Sequence, residues 1–327
     1  MKFGRGEGTK KHRIRLISTI LVILCLFLAR NVTDITAATA TQPSETDVTP
    51  STELNQLKTY LTVKEKAPKP PVYAKYFLLM DGETGDILTT QGADSLIPIA
   101  STTKMVTALT VREQLKLDQI ATVSKRATTI QGSKINLLAG EKIYVRDLLK
   151  GLLIASGNDT AFALAETYAK KEGNYELFVQ KMNEYLRRHR LTKTTLADPA
   201  GLDDEKGRST PRELGHIARL VLKDKVLGDI IMTPQTTLVS VTGQEHRLDS
   251  TNRLIKPEHP LFMAKARGVK TGFTHDAGHS LVAAYELNGR MVIGVVMNTA
   301  EYTNEASAKE MRKLFLWAEH YVSEKSY

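Results

Sequence analysis

The sequence contains almost no cysteine. The single thiol among its 327 residues is Cys25, which lies in an apolar stretch near the N terminus. One cysteine cannot form an intramolecular disulfide, and the chain beyond residue 25 has no thiol to act as a nucleophile or as a metal ligand. Disulfide bonding, cysteine catalysis and thiolate metal sites are therefore excluded for the main part of the protein.

Histidine patterns typical of metal sites are missing as well. The eight histidines include no H-E-x-x-H pair. His275 and His279 are four residues apart but span a predicted turn, so we interpret them as loop residues. We expect no metal and no other cofactor.

The sequence also lacks a long apolar run at its N terminus. Leu16 to Ala29 gives fourteen uncharged residues, whereas a stable transmembrane helix needs about 20. Basic residues precede this run, and that order predicts a secretory signal or a signal-anchor in residues 1–30. Both interpretations stay open, because the candidate cleavage site at Ala38 to Ala40 lies far from the apolar run.

Large apolar residues are scarce in the next segment too. Residues 31–72 are rich in Thr, Ser, Pro and Ala, can bury little surface, and are expected to form a flexible linker. Residues 73–322 are long enough for a substantial core, as one domain or as two joined lobes.

Three short motifs follow one another in the long segment. They are Ser101-Thr-Thr-Lys104, Ser156-Gly-Asn158 and Lys270-Thr-Gly272. Each alone also fits a helix cap, a polar turn or a strand end. Their combination in this order is specific for a serine acyl-transfer site.

The first motif pairs a hydroxyl with an amine. A serine hydroxyl needs a neighbouring base, and on a helix Lys104 would share a face with Ser101. Lysine is a base only when it is neutral, whereas its ordinary pKa is about 10.4. Burial and a nearby like charge would both lower the pKa, and Lys270 is our candidate for that second cation.

These motifs resemble those of the D-alanyl-D-alanine carboxypeptidases, the low-molecular-mass penicillin-binding proteins of serine peptidase family S11. The resemblance spans roughly Tyr76 to Thr299 and also includes Pro199-Ala-Gly-Leu202. Two positions depart from the family pattern. Asp198 stands where asparagine is common, and Phe273 stands where a polar residue is frequent.

The resemblance implies catalytic roles for four residues. Ser101 would attack the carbonyl of the penultimate D-alanine, with Lys104 as its base. Ser156 would relay the proton to the leaving amine. The oxyanion hole would use the backbone N–H groups of Ser101 and Phe273, so the side chain at 273 is free to vary.

The other motif residues would bind the substrate. Asn158 would hydrogen-bond Lys104 and the substrate amide, while Lys270 and Thr271, beside Gly272, would contact the terminal carboxylate. The expected partners are the peptidoglycan pentapeptide and, as covalent inhibitors, β-lactam antibiotics. Action would lie outside the cytoplasm at the cell wall, with the protein secreted or anchored by its N-terminal segment. The small C-terminal β domain of many relatives is expected to be missing.

Other functions are less well supported. A D,D-endopeptidase acting on peptidoglycan crosslinks stays an alternative. A class A β-lactamase would need a glutamate in an E-x-x-L-N loop, which is absent between Asn158 and Lys270. A catalytically silent muropeptide binder would have no need to keep all the motif residues. The net charge of +9, with a basic run at Arg187 to Arg190, is accompanied by no nucleic-acid-binding motif, so we expect no nucleic acid partner.

The periodicity predicts an α+β fold. An early hairpin, Lys75 to Thr90, and three late strands between Gly268 and Asn298 would form one antiparallel sheet. Helices between Lys104 and Leu222 would form a helical lobe, and a final helix would run from Glu305 to Val322. The resemblance implies the β-lactamase/transpeptidase-like fold, with the catalytic cleft between sheet and lobe.

Overall fold

The structure is a computed structural model that describes residues 59–301 and 303–326. Its strands are β1 (Thr59–Val63), β2 (Ala74–Asp81), β3 (Ile87–Gln91), β4 (Ile120–Thr122), β5 (Lys142–Tyr144), β6 (Gln235–Val239), β7 (Glu245–Asp249), β8 (Ala266–Gly272), β9 (Ser280–Leu287), β10 (Arg290–Thr299) and β11 (Val322–Ser326). Its α-helices are α1 (Lys104–Gln114), α2 (Lys125–Thr129), α3 (Val145–Leu153), α4 (Asn158–Ala169), α5 (Glu176–Arg188), α6 (Pro211–Lys223), α7 (Lys225–Ile231) and α8 (Ala306–Tyr321). The predicted signal segment and residues 31–58 of the predicted linker lie outside the described residues.

A five-stranded antiparallel sheet in the order β3-β2-β10-β9-β8 forms the centre of the fold. The early hairpin β2-β3 pairs with late strand β10, as the sequence predicts. The turn between β9 and β10 contains Asn288 and Gly289, both with positive φ, which is the geometry that an Asn-Gly hairpin turn requires. The sheet thus joins the two ends of the domain and leaves β8 as one of its edges.

The sheet separates two hydrophobic cores. Side chains alternate along a strand, so Phe77 and Leu79 enter the core that contains Phe315 of α8. Leu78 and Met80 enter the other core, which the helices α1, α3, α4 and α6 share. This burial of both faces explains why the central strands are apolar throughout.

Several short elements are absent from the sequence-based assignment. Helices α2 and α7 have only five and seven residues. The strands β4, β5, β6 and β7 have three to five residues each. Segments this short contain too few residues to show a periodicity. They matter because β7 and the chain after α2 lead into the walls of the cleft.

The prediction of a flexible linker through residue 72 is wrong for its last part. Strand β1 pairs along its length with β11, and Leu61 is buried between them and the core. Trp317 also donates a hydrogen bond to the carbonyl of Pro68 over 2.8 Å. Few apolar residues suffice here because β11 and α8 supply the covering surface. The folded domain therefore extends beyond the predicted bounds of 73–322 at both ends.

None of the helices within residues 59–301 and 303–326 is both long enough and apolar enough to cross a bilayer.

Candidate active site

The three motifs meet in one open cleft. The cleft has a volume of about 1110 Å³ and lies between β8 and the helical lobe. Ser101, Ser156, Asn158 and Thr271 are among the residues that line it. Segments as far apart in the sequence as 101 and 271 thus face the same space, as the sequence predicts.

Ser101 lies on a 3₁₀ turn, Ala100–Thr103, that leads directly into α1. A 3₁₀ helix has three residues per turn, so side chains at positions i and i+3 lie above one another. This geometry brings Lys104 Nζ to 2.8 Å from Ser101 Oγ. The lysine side chain is fully buried, whereas the serine is partly exposed to the cleft.

Lys104 Nζ has two further partners, and neither can donate a proton to it. They are Asn158 Oδ1 at 2.8 Å and the carbonyl oxygen of Ala200 at 2.7 Å. The amide of Asn158 is oriented by its Nδ2, which donates to the carbonyl of Gln131 over 2.6 Å. A neutral amine has two N–H groups and one lone pair. Because these two acceptors take both N–H groups, the lone pair is left for the hydroxyl of Ser101.

Burial lowers the pKa of Lys104 to about 7, against the opposing charges of Asp198 and Asp159. Lys270 is the second cation that the sequence predicts here, and its own pKa is lowered well below that of an ordinary lysine by burial and by the charge of Lys104. Desolvation is the largest cause of the lowered pKa of Lys104 and makes it a base at neutral pH.

The second motif lies in the connection between α3 and α4, as predicted. Ser156 adopts a left-handed backbone conformation with φ of 61°, which turns the chain between the helices. Asn158 is the first residue of α4, and its N–H donates to the carbonyl of Ser133 over 2.7 Å. The Asn158 backbone and side chain thus fix the cleft wall formed by residues 131–133.

The third motif lies on the edge strand β8. Lys270 is buried and donates hydrogen bonds to Ser156 Oγ over 2.9 Å and to the carbonyl of Thr271 over 3.0 Å. The Thr271 hydroxyl faces the cleft and shares a 2.6 Å hydrogen bond with the hydroxyl of Thr251. The amine of Lys270 therefore connects the second motif to the third.

Gly272 allows β8 to pass close to the nucleophile turn. A Cβ at this position would lie 3.2 Å from the carbonyl oxygen of Ile99 and 3.4 Å from the N of Ser101. Phe273 follows at once, so its N–H belongs to the segment that passes the Ser101 turn, which is where an oxyanion hole would need it. The side chain of Phe273 is 44 % exposed and stacks on His279 at 4.1 Å between ring centroids.

The two histidines that we interpreted as loop residues do lie outside the strands, but both line the cleft. Sequence reasoning also missed the walls formed by Gln131 to Ser133 and by Ser250 to Arg253. Both segments are polar loops without a motif, and Gln131 acts through its backbone. Within the described ranges, no cluster of three His, Cys, Asp or Glu side chains has the arrangement of a metal site.

Comparison with known proteins agrees with this geometry. A profile of the peptidase S11 family, described as D-alanyl-D-alanine carboxypeptidase, matches residues 62–301. The chain belongs to this family. Its α+β fold is that of the family's solved structures, since the DD-transpeptidase of Streptomyces K15 superposes with a TM-score of 0.69 at 30 % identity, covering 77 % of this chain and 98 % of the other.

Curated relatives show the same similarity. The carboxypeptidase DacF of Bacillus subtilis is 33 % identical over 232 residues, which is 69 % of this chain and 58 % of DacF. The carboxypeptidase DacC of Escherichia coli is 31 % identical over 274 residues, which is 79 % of this chain and 64 % of DacC. This chain therefore spans less than two thirds of the length of these two relatives.

Proposed function

We propose that the protein is a serine D-alanyl-D-alanine carboxypeptidase that removes the terminal D-alanine from peptidoglycan stem peptides. The observation that carries the proposal is the set of partners around Lys104 Nζ. Two acceptor-only groups, Asn158 Oδ1 and the carbonyl of Ala200, use its N–H groups, and Ser101 Oγ lies at the remaining position. An amine buried in this way is a base directed at one hydroxyl.

The first half of the reaction forms an acyl-enzyme. Ser101 Oγ attacks the carbonyl carbon of the penultimate D-alanine, while the hydroxyl proton moves to Lys104 Nζ. The backbone N–H groups of Ser101 and Phe273 stabilise the oxyanion. The C–N bond then breaks, and D-alanine leaves after its amine takes the proton of Lys104 through Ser156, which returns Lys104 to its neutral form. Asn158 hydrogen-bonds both Lys104 and the substrate amide and so keeps the two groups aligned.

The second half returns the free enzyme. Water attacks the ester carbonyl, and Lys104 is again the base that accepts the proton. The ester C–O bond breaks, Ser101 regains its proton, and the shortened peptide leaves as a carboxylate. A β-lactam would enter the same path through its amide carbonyl, and the resulting ester is the covalent penicillin complex.

Lys270 and Thr271 are the proposed partners of the substrate's terminal carboxylate, at the edge marked by Gly272. Lys270 is buried, so an incoming negative charge would favour its protonated form. The Thr271 hydroxyl faces the cleft and adds a neutral hydrogen bond. A substrate without a free carboxylate would lose both interactions.

The proposed place of action follows from the location of the proposed substrate. Peptidoglycan lies outside the cytoplasm, which agrees with the secretory signal or signal-anchor expected in residues 1–30. We propose that any membrane contact is made by that N-terminal segment.

A D,D-endopeptidase is the second candidate. A relative from Pseudomonas aeruginosa named D-alanyl-D-alanine endopeptidase is 31 % identical over 241 residues, 72 % of this chain. The cleft is open and large, so a crosslinked peptide has room to enter. Both activities break a bond to the same D-alanine carbonyl and differ in the leaving amine.

The test uses a purified pentapeptide and a purified crosslinked muropeptide. We expect release of free D-alanine from the pentapeptide by the wild type, and none by Ser101→Ala or Lys104→Ala. Lys116→Ala, which removes an exposed lysine just beyond α1, is the matched control and should keep full activity. Cleavage of the crosslinked peptide alone would favour the endopeptidase, and no cleavage of either would refute both.

A further inference from the structure

The carboxylate of Asp198 holds a short loop next to the base. Asp198 is 9 % exposed. Its Oδ1 accepts hydrogen bonds from the N–H groups of Ala200 over 2.6 Å and Gly201 over 2.8 Å. Its Oδ2 accepts a third from the N–H of Leu202 over 3.0 Å. One side chain thus fixes three successive backbone amides.

The three hydrogen bonds from Asp198 form a clamp on the loop, and this clamp determines where the Ala200 carbonyl points. In a trans peptide the C=O of one residue and the N–H of the next point in opposite directions in one plane. The N–H of Gly201 points at Asp198, so the carbonyl of Ala200 must point the other way. It points at Lys104 Nζ, which donates to it over 2.7 Å.

The loop packs directly on the turn that carries the nucleophile. Gly201 has φ of 77°, and a Cβ there would lie 1.9 Å from the carbonyl oxygen of Ala100. On the other side of the loop, Thr107 of α1 donates to the carbonyl of Pro199 over 2.7 Å. The position of the Ala200 carbonyl is therefore coupled to the position of the Ser101 turn.

We propose that Asp198 is a positioning residue for acylation, which turns the Ala200 carbonyl toward Lys104 and so reserves the lysine lone pair for Ser101. The inference rests on the proposed function, in which Lys104 is the base. It adds a residue that touches neither substrate nor nucleophile.

The charge of Asp198 has a second effect, which can be separated from the clamp. The charged groups that interact with Lys104 are Asp198 and Asp159, both of which raise its pKa against burial, and the like charge of Lys270, which hydrogen-bonds Ser156. An asparagine at 198 could still accept the two hydrogen bonds made by Oδ1, but it would carry no charge. An alanine would remove both the clamp and the charge.

The experiment compares acylation rates with a fluorescent penicillin across the neutral pH range. The variants are Asp198→Asn and Asp198→Ala, and the control is Asp204→Asn, an exposed aspartate of the same loop. A neutral lysine is the base, so the rate rises through the pKa of Lys104. We expect Asp198→Asn to shift the midpoint to lower pH, because it removes a charge that raises this pKa. The control should leave the profile unchanged.

Asp198→Ala should show the same shift and also a lower maximum rate, by about tenfold or more, since a hydrogen bond to a charged group contributes on that order. A maximum rate in Asp198→Ala equal to that in Asp198→Asn would overturn the inference, because loss of the three hydrogen bonds would then have no effect on acylation. If the fluorescent penicillin failed to label the wild-type protein, that result would instead refute the proposed function. Thermal melting of each variant identifies loss of rate through unfolding.

Discussion

Lys270 donates a hydrogen bond to Ser156 Oγ over 2.9 Å, and this contact joins the edge strand of the sheet to the turn between two helices. Both side chains are buried. Ser156 is therefore held between the amine of Lys270 and the cleft. This position suits a hydroxyl that passes a proton to a leaving amine.

Ser156→Ala removes that hydroxyl. We expect acylation by a peptide to slow by about a hundredfold or more, the usual contribution of a positioned acid or base. The substrate KM should change much less, because Lys270 and Thr271 remain. Stopped-flow or steady-state kinetics with the pentapeptide separates the two parameters. An unchanged kcat would contradict the relay.

The acylation rate should depend on pH through Lys104. Its pKa is lowered to about 7, and the amine is a base only when it is neutral. The rate should therefore rise through about pH 7, by roughly tenfold per pH unit below that value. A profile that is flat through this range, measured with labelled penicillin, would contradict a titrating lysine base.

The same group should make stability depend on pH. In the unfolded chain Lys104 has an ordinary pKa of about 10.4, so between pH 7 and that value the unfolded state binds more protons than the folded state. The free energy of unfolding should rise with pH across this window. Urea unfolding at several pH values measures this free energy for the wild type and for Lys104→Met. The wild type should become more stable relative to the variant as the pH rises.

The proposed oxyanion hole requires the backbone N–H of Phe273 but not its side chain. Phe273→Ala keeps the N–H and should retain acylation, whereas Phe273→Pro removes the N–H and should lose a factor of about a hundred to a thousand. Circular dichroism checks that both variants fold. Equal acylation by the two folded variants would show that this N–H takes no part.

Gly201 offers a test of the packing between its loop and the nucleophile turn. Gly201→Ala would place a Cβ at 1.9 Å from the carbonyl oxygen of Ala100, so we expect both stability and acylation to fall. Gly207→Ala is the matched control, because a Cβ there meets no atom within 4 Å. Thermal melting and penicillin labelling measure the two effects. A tolerated alanine at 201 would mean that the loop can move away from the turn.

The sequence was informative wherever a side chain carries the signal. The early hairpin, the longer helices α1, α3, α4, α5, α6 and α8, the Asn288-Gly289 turn and the meeting of three motifs were predicted from residue type and spacing. The carbonyls of Ala200 and Gln131 were not, because any residue has a carbonyl and only the fold decides where it points. Strand β1 was missed because its partner, β11, lies at the other end of the chain.

The source of the lowered pKa of Lys104 was also beyond the sequence. Burial and like charge predict the same direction, so residue types alone could not apportion them. In the structure burial is the largest cause of the lowered pKa, and the charges of Asp198 and Asp159 oppose it.

The most direct test of the account is the mass of the intact protein after incubation with benzylpenicillin, followed by peptide mapping. The account predicts one added penicillin, located on the peptide that contains Ser101, and no adduct on Ser101→Ala. An unmodified wild type, or an adduct on another residue, would contradict the central claim that Ser101 is the hydroxyl activated by Lys104.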